Sequence, residues 1–182
     1  MKTGDVILFD WEGGWLRKLI RAYNQKVYGV KGWTHCGIIV KIESNGDCLV
    51  YEALSNGFDT INWKGNQNYY SSEYLKMAQK EGILTLMKTK RLIVNVKKCC
   101  DKYAGTPYGW LDLIGIVLFS MFGFKGLSIT GAKRLICSEA VARVLYDASN
   151  KEIDFEKEFD KKYDLITPTD IFLSKQLTEI KL

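Results

Sequence analysis

The sequence predicts an α+β fold, in which an antiparallel sheet or small barrel is packed by helices. The clearest local signal is a hairpin: two apolar, strand-like segments flank the dipeptide Asn45-Gly46, which is typical of a tight turn. After Val96 the pattern changes, and apolar residues recur at spacings of three and four, as in amphipathic helices. Strands gathered in one part of the chain and helices in another are typical of the α+β class.

Local patterns predict the individual elements. Strands are predicted at residues 5–9, 34–43, 48–54, 58–63, 82–89 and 91–96. Helices are predicted at residues 11–25, 97–105, 110–124 and 136–149. Pro168 marks a short helix near the C-terminus, for which Thr167 and Thr169 are both candidate N-caps.

Length and charge indicate one domain and argue against a nucleic-acid partner. The chain has 182 residues and no low-complexity stretch, which predicts a single domain spanning 1–182. The formal net charge is +5, but the basic residues are interspersed with acids. The densest basic segment, Lys88–Lys98, has an apolar centre and no aromatic residue, so we expect a solvated edge strand there and no nucleic-acid site.

The N-terminus lacks the pattern of a signal peptide, because a short apolar run lies there between Asp5 and Asp10. We therefore expect a cytoplasmic protein, with release by lysis or carriage in a particle left open. The most apolar segment, Leu113–Phe124, is shorter than the roughly 20 residues that span a bilayer. A buried core helix is the favoured interpretation of this segment. A surface that docks on lipid is the alternative, so membrane contact through it is not favoured.

The cysteine and histidine content points to thiol chemistry. Five cysteines without regular spacing do not predict a disulfide framework. No CxxC motif occurs and His35 is the sole histidine, so we expect no metal site, and no organic cofactor is implied. A cysteine together with a histidine distant in sequence is the pattern of a thiol nucleophile and its base.

Cys137 is the candidate nucleophile because it opens a predicted helix. The partial positive charge and free N–H groups of a helix N-terminus favour a thiolate and can stabilise an oxyanion. The other cysteines lack such a context: one faces away from His35 on its strand, one alternates within an apolar strand, and two lie on a polar helix. In that order they are Cys36, Cys48, Cys99 and Cys100.

A third polar group is expected to orient the histidine ring, and Glu52 is the leading candidate. Pairing centred on the Asn45-Gly46 turn, however, places Glu52 opposite Ile39, four residues beyond His35. Either a bulge or a different turn centre must bring Glu52 closer, or another residue such as Asn56 or Asp59 takes the role.

Three segments, in this order, resemble one enzyme family: Thr34-His35-Cys36-Gly37, Tyr51-Glu52-Ala53 and Cys137-Ser138-Glu139. They are similar to the circularly permuted branch of the NlpC/P60 superfamily of papain-like cysteine enzymes, in which the histidine strand precedes the cysteine helix. The resemblance extends to the opening strand, to a Gly-x-x-Tyr pattern before the nucleophile and to a closing segment with proline. These correspond to residues 4–9, 104–115 and 166–172.

The resemblance implies a permuted papain-like fold and a cysteine-dependent hydrolase of the amidase or peptidase type. Cys137 would be the nucleophile, His35 its base and Glu52 the orienting residue of an acyl-enzyme mechanism. The implied substrates are small molecules, peptides (cell-wall peptides among them) or lipid acyl groups. Two alternatives stay open: a lipid acyltransferase or thioesterase, and a catalytically silent binding or structural module on the same fold.

Overall fold

The strands of a computed structural model of the chain form one antiparallel sheet. The structure describes residues 1–30, 32–54, 57–59, 69–109 and 134–182, with 57–59 described by their backbone. The strands are β1 (Val6–Phe9), β2 (His35–Ile42), β3 (Cys48–Leu54), β4 (Gly57–Asp59), β5 (Tyr69–Tyr70), β6 (Leu84–Thr89) and β7 (Leu177–Ile180). Their order is β4-β3-β2-β1-β6-β7, and β5 pairs with β3 as well. Within the described residues β4 and β7 do not pair, so these strands form an open sheet and not a closed barrel.

Helices pack on both faces of this sheet. They are α1 (Trp15–Tyr28), α2 (Ser72–Lys80), α3 (Val96–Asp101), α4 (Cys137–Ala148), α5 (Phe155–Phe159) and α6 (Pro168–Leu173), with a 3-10 turn at Tyr163–Leu165. Among the described residues, no helix has the length and apolar character needed to cross a membrane. The predicted helix at 110–124, with its apolar segment Leu113–Phe124, lies outside the described residues.

The alternation of side chains along β1, β2 and β3 builds two cores. One face carries Leu8 and Ile38 and packs against Val141 of α4. The other face carries Phe9 and Ile39 and is covered in part by α2. Since both faces are buried, a one-residue slip of any central strand would exchange its two sets of side chains.

The α+β prediction is confirmed, and so are the hairpin, α1 and α4. One predicted strand is wrong: residues 91–96 are not extended into the sheet. Asn95 has a left-handed backbone (φ 54°) that ends the extended run, and α3 begins directly after it. Strand β6 ends at Thr89, so the basic segment Lys88–Lys98 is not a solvated edge strand, and Leu92 in it is 81% exposed. This segment is the end of β6, an irregular connection and the start of α3.

The short helix near the C-terminus begins as predicted at one of its two candidate caps. Thr167 accepts a hydrogen bond from the backbone N–H of Asp170 (3.1 Å), and the Asp170 carboxylate accepts one from the N–H of Thr167 (2.8 Å). Thr169, the other candidate, lies inside the helix, and its hydroxyl accepts a hydrogen bond from the backbone N–H of Trp33 (3.1 Å). The prediction of Thr169 as a cap is therefore wrong.

The register of the β2–β3 hairpin differs from simple pairing about Asn45-Gly46. Ile42 lies opposite Cys48, and a β-bulge between Ile39 and Lys41 then shifts the pairing by one further residue. Glu52 consequently lies opposite Gly37 instead of Ile39. A different turn centre and a bulge both contribute, and together they move Glu52 two positions toward the start of β2.

Gly37 lacks the side chain that would otherwise fill the space beneath Glu52. A Cβ atom at this position would lie 2.6 Å from Cγ of Glu52, 2.6 Å from Cγ1 of Val50 and 3.0 Å from the carbonyl oxygen of Tyr51. These distances are shorter than van der Waals contact, so Glu52 can lean across the strand only because residue 37 is glycine.

We expect Gly37→Ala to lower the free energy of unfolding by about 1–3 kcal/mol, because the added methyl group overpacks a buried site. Chemical denaturation of wild type and variant measures the change. Ile39→Val, in the same strand, removes a buried methyl group without touching Glu52 and should cost about 0.5–1.5 kcal/mol. Equal unfolding free energies for wild type and Gly37→Ala would show that Glu52 does not need this space.

Candidate active site

His35 is the first residue of β2, and its ring is buried at the end of the sheet. The ring stacks on Trp11 at a centroid distance of 4.6 Å and an interplanar angle of 13°. Phe9, the strand partner of His35, lies 5.8 Å away. Two aromatic neighbours restrict the rotation of the imidazole and remove it from water.

Glu52 holds one nitrogen of this ring. Its Oε2 lies 2.7 Å from Nε2 of His35, and both side chains are buried. The second carboxylate oxygen, Oε1, accepts a hydrogen bond of 2.7 Å from the hydroxyl of Tyr70 on β5. Both oxygens of a buried carboxylate are thus bonded, which offsets the cost of removing it from water.

Cys137 is the first residue of α4, as predicted, and is 4% exposed. The residue before it, Ile136, is extended and has no side-chain oxygen to cap the helix. No side chain at the cap position therefore accepts a hydrogen bond from the N–H groups of the first turn of α4.

Among the described residues, three side chains are hydrogen-bonded to Cys137: those of His35, Cys36 and Tyr108. The backbone N–H of Cys36 also donates to the Cys137 sulfur. Because Glu52 holds Nε2 of His35, Nδ1 is the ring nitrogen available to the sulfur. Glu52, His35 and Cys137 are thus connected through the two nitrogens of one imidazole.

These contacts favour the charged forms of both the thiol and the imidazole. The hydrogen bond from Cys36 and the positive charge of His35 hold the pKa of Cys137 well below its usual range, although burial acts in the opposite direction. Burial also disfavours charged His35, but the negative charge and hydrogen bond of Cys137, with the contact to Glu52, raise the pKa of His35 to about 9. Between the two pKa values the pair is a thiolate and an imidazolium.

The three residues predicted from the sequence, Cys137, His35 and Glu52, are therefore brought together. Of the alternatives to Glu52, Asp59 is its backbone partner in β4, and its side chain is not among those described. Asn56 lies outside the described residues.

Sequence reasoning missed two residues that contact Cys137. Cys36 does face away from His35, as expected, but the face it points to is the one that α4 covers. Tyr108 precedes α4 by a long stretch of chain, and a parallel bridge to Leu135 carries it to the start of the helix. Alternation along β2 shows that Cys36 and His35 diverge, but it does not show which face receives the cysteine helix.

The remaining cysteines have the ordinary chemistry expected of them. Cys48 is buried in the core beneath α2, and burial raises its pKa to about 12. Burial also raises the pKa of half-buried Cys99 and of buried Cys100 on α3. Cys137 is the one thiol of the described residues whose pKa is lowered.

The side chains that the structure describes do not form a metal site. Among them, no group of three or more histidine, cysteine, aspartate or glutamate side chains is arranged to hold a metal ion. Glu52 and Nε2 of His35 bind each other, so these two groups do not form an open ligand set.

Comparison with solved structures identifies a protein of similar fold. The crystal structure of the metalloprotein yiiX (DUF1105) from Escherichia coli O157:H7 matches with a TM-score of 0.57 and 18% sequence identity. The match covers 98% of this chain and 96% of that chain, so the two share their α+β fold throughout. No protein-family model matches the sequence, and no curated protein matches it.

Replacing Cys36 tests its hydrogen bond to Cys137. We expect Cys36→Ala to raise the pKa of Cys137, because the thiolate loses a donor, whereas Cys36→Ser keeps a donor and should raise it less. The pKa is read from the pH dependence of iodoacetamide alkylation at Cys137, followed by mass spectrometry. Cys48→Ala, which removes a buried thiol on the other face, is the matched control and should leave the midpoint unchanged.

Replacing Glu52 tests the other side of the imidazole. We expect Glu52→Gln to lower the pKa of His35 from about 9 by roughly 1 to 2 pH units, because the imidazolium loses a negative partner. Since His35 is the sole histidine of the chain, its NMR titration is unambiguous. Asp101→Asn removes a carboxylate that contacts the neighbouring Tyr51 instead and should not move the titration. An unchanged midpoint in Glu52→Gln would contradict the assigned contact.

Proposed function

We propose that this chain is a cysteine-dependent hydrolase of the amidase or peptidase type, working through an acyl-enzyme. The observation that carries the proposal is the connected set Glu52–His35–Cys137 at the start of α4, with the pKa of Cys137 lowered and that of His35 raised to about 9. The thiolate is the nucleophilic form of cysteine, and perturbed pKa values cluster at functional sites.

Each residue has a separate role in the proposed reaction. His35 takes the proton of Cys137, and the sulfur attacks the carbonyl carbon of an amide or ester, placing the negative charge on the carbonyl oxygen. N–H groups of the first turn of α4 stabilise that oxyanion. When the tetrahedral intermediate collapses, the bond to the leaving amine or alcohol breaks and His35 donates its proton to that group.

The second half of the reaction regenerates the thiolate. A water molecule attacks the thioester carbonyl, and His35 accepts its proton. The carbon–sulfur bond then breaks, which releases the acid and leaves Cys137 ionised beside protonated His35. Glu52 holds Nε2 throughout, so the ring presents Nδ1 to the sulfur and stays oriented while its charge changes.

Membership of the permuted NlpC/P60 superfamily is part of this proposal. It rests on chain order, because the histidine strand β2 precedes the cysteine helix α4, and on the antiparallel sheet that connects them. The substrate would be a peptide, a small-molecule amide or ester, or a lipid acyl group.

An activated aryl ester tests the acyl-enzyme step without knowledge of the natural substrate. With p-nitrophenyl acetate we expect Cys137 to carry the acetyl group and the enzyme to turn over. His35→Ala should lower the rate at least about tenfold, because the thiolate loses its base and partner charge. On an amide substrate, whose amine must leave protonated, the rate should also fall as the pH rises above about 9, where His35 loses the proton that the leaving group needs.

Cys137→Ala and Cys99→Ala are the matched variants for this assay. Cys137→Ala should abolish turnover, while Cys99→Ala removes a half-buried thiol on α3 and should leave it intact. Equal hydrolysis by wild type and Cys137→Ala, on this ester and on a panel of amides and thioesters, would favour a catalytically silent binding module instead.

A further inference from the structure

A cation lies on the aromatic wall of the candidate active site. Trp11, whose ring stacks on His35 at 4.6 Å, has the guanidinium carbon of Arg17 over its own ring at 5.3 Å. A hydrogen bond of 2.9 Å from Nη1 of Arg17 to the carbonyl oxygen of Glu12 fixes the guanidinium there. Arg17, Trp11 and the catalytic imidazole therefore form one continuous contact chain.

The charge of Arg17 acts on Tyr108, a residue that contacts the proposed nucleophile. Burial and the negative charge of Cys137 raise the pKa of Tyr108, and the positive charge of Arg17 opposes this rise. Because the Tyr108 hydroxyl is hydrogen-bonded to Cys137, Arg17 lies within electrostatic reach of the site where the carbonyl would be attacked.

Arg17 differs from the next arginine along the same helix face. Arg21, one turn further along α1, is neutralised by the buried carboxylate of Asp10 at 2.7 Å and approaches Glu12 at 3.6 Å. Arg17 forms no ion pair with any carboxylate in the part of the chain that the structure describes. Its positive charge, half-buried against Trp11, therefore has no carboxylate partner among the described side chains.

We infer that Arg17 is a specificity-determining residue that receives a carboxylate of the substrate close to the scissile carbonyl. The inference rests on the proposed function and names the class of substrate: an acyl compound or peptide that carries a free carboxylate beside the bond to be cleaved. The planar guanidinium donates in a fixed fork that matches a carboxylate, and the ring of Trp11 supports it from below. A neutral substrate would leave this charge without a partner when it displaced the surrounding water.

Two alkylating reagents that differ by one negative charge test the inference. Iodoacetate carries a carboxylate beside its reactive carbon, and iodoacetamide carries a neutral amide at the same place. The ratio of their alkylation rates at Cys137, measured by mass spectrometry, does not depend on the thiolate fraction, because both reagents attack the same thiolate. We expect Arg17→Gln to lower the iodoacetate to iodoacetamide ratio by about threefold to tenfold at low ionic strength, and less in high salt.

Matched variants separate a local role of Arg17 from general charge effects. Arg17→Lys keeps the positive charge but loses the planar fork, so its ratio should lie between those of wild type and Arg17→Gln. Lys18→Gln removes an exposed positive charge from the neighbouring position of α1 and should leave the ratio as in wild type. The iodoacetamide rate itself reports whether Arg17→Gln disturbs Trp11 and His35.

The outcomes distinguish this inference from the proposed function. An unchanged ratio in Arg17→Gln, with fast iodoacetamide alkylation of Cys137, would overturn the role of Arg17 and leave the cysteine mechanism standing. Iodoacetamide alkylation of wild-type Cys137 no faster than that of Cys99 at pH 6 would overturn the proposed function and the inference together. An equal fall of the ratio in Lys18→Gln would overturn the specific contact between Arg17 and a carboxylate. The ratio would then report the general positive potential of α1.

Discussion

The contact between His35 and Glu52 depends on residue 37 being glycine, which has no side chain. Glu52 reaches Nε2 by leaning over Gly37, where any Cβ atom would collide with it. The bulge in β2 brings Glu52 opposite that glycine, and the hydroxyl of Tyr70 occupies the second carboxylate oxygen. One backbone irregularity, one glycine and one strand at the edge of β3 thus cooperate to hold a buried negative charge beside the imidazole.

Burial makes these charged and polar groups costly to desolvate, and it also strengthens the interactions between them. A carboxylate, an imidazole and a thiol at the end of a sheet each lose hydration, and each is compensated by a named neighbour. In the low-dielectric interior, the charges and dipoles of these fixed partners interact strongly with one another. For this reason the pKa of Cys137 falls although burial alone would raise it. The aromatic rings of Trp11 and Phe9 exclude water from one side, and the core beneath α4 does so from the other.

How much of this could be predicted differs from residue to residue. Cys137 could be found because helical periodicity begins at that position, and His35 because the chain has one histidine. Glu52 could be named as a candidate, but its contact could not be placed, because the turn centre and a single-residue bulge decide the register and the bulge leaves no signal in the residue types near Ile39. The role of Cys36 depends on which face of the sheet α4 covers, which is a tertiary property. β7 escaped prediction because Leu177–Ile180 is short and mixes charged with apolar residues, and it becomes a strand only against β6.

The adjacency of His35 and Cys36 has a consequence for how the site is assembled. The two side chains leave β2 in opposite directions, one toward Trp11 and Glu52 and the other toward α4. The imidazole and the thiol donor therefore lie on adjacent residues, so the position of one along β2 determines the position of the other. If β2 paired with both β1 and β3 one residue out of step, the ring would be buried in the α4 core and the thiol would face the carboxylate. A molecule misfolded in this way would lose both groups at once, so correct strand register and a competent site are acquired in the same event.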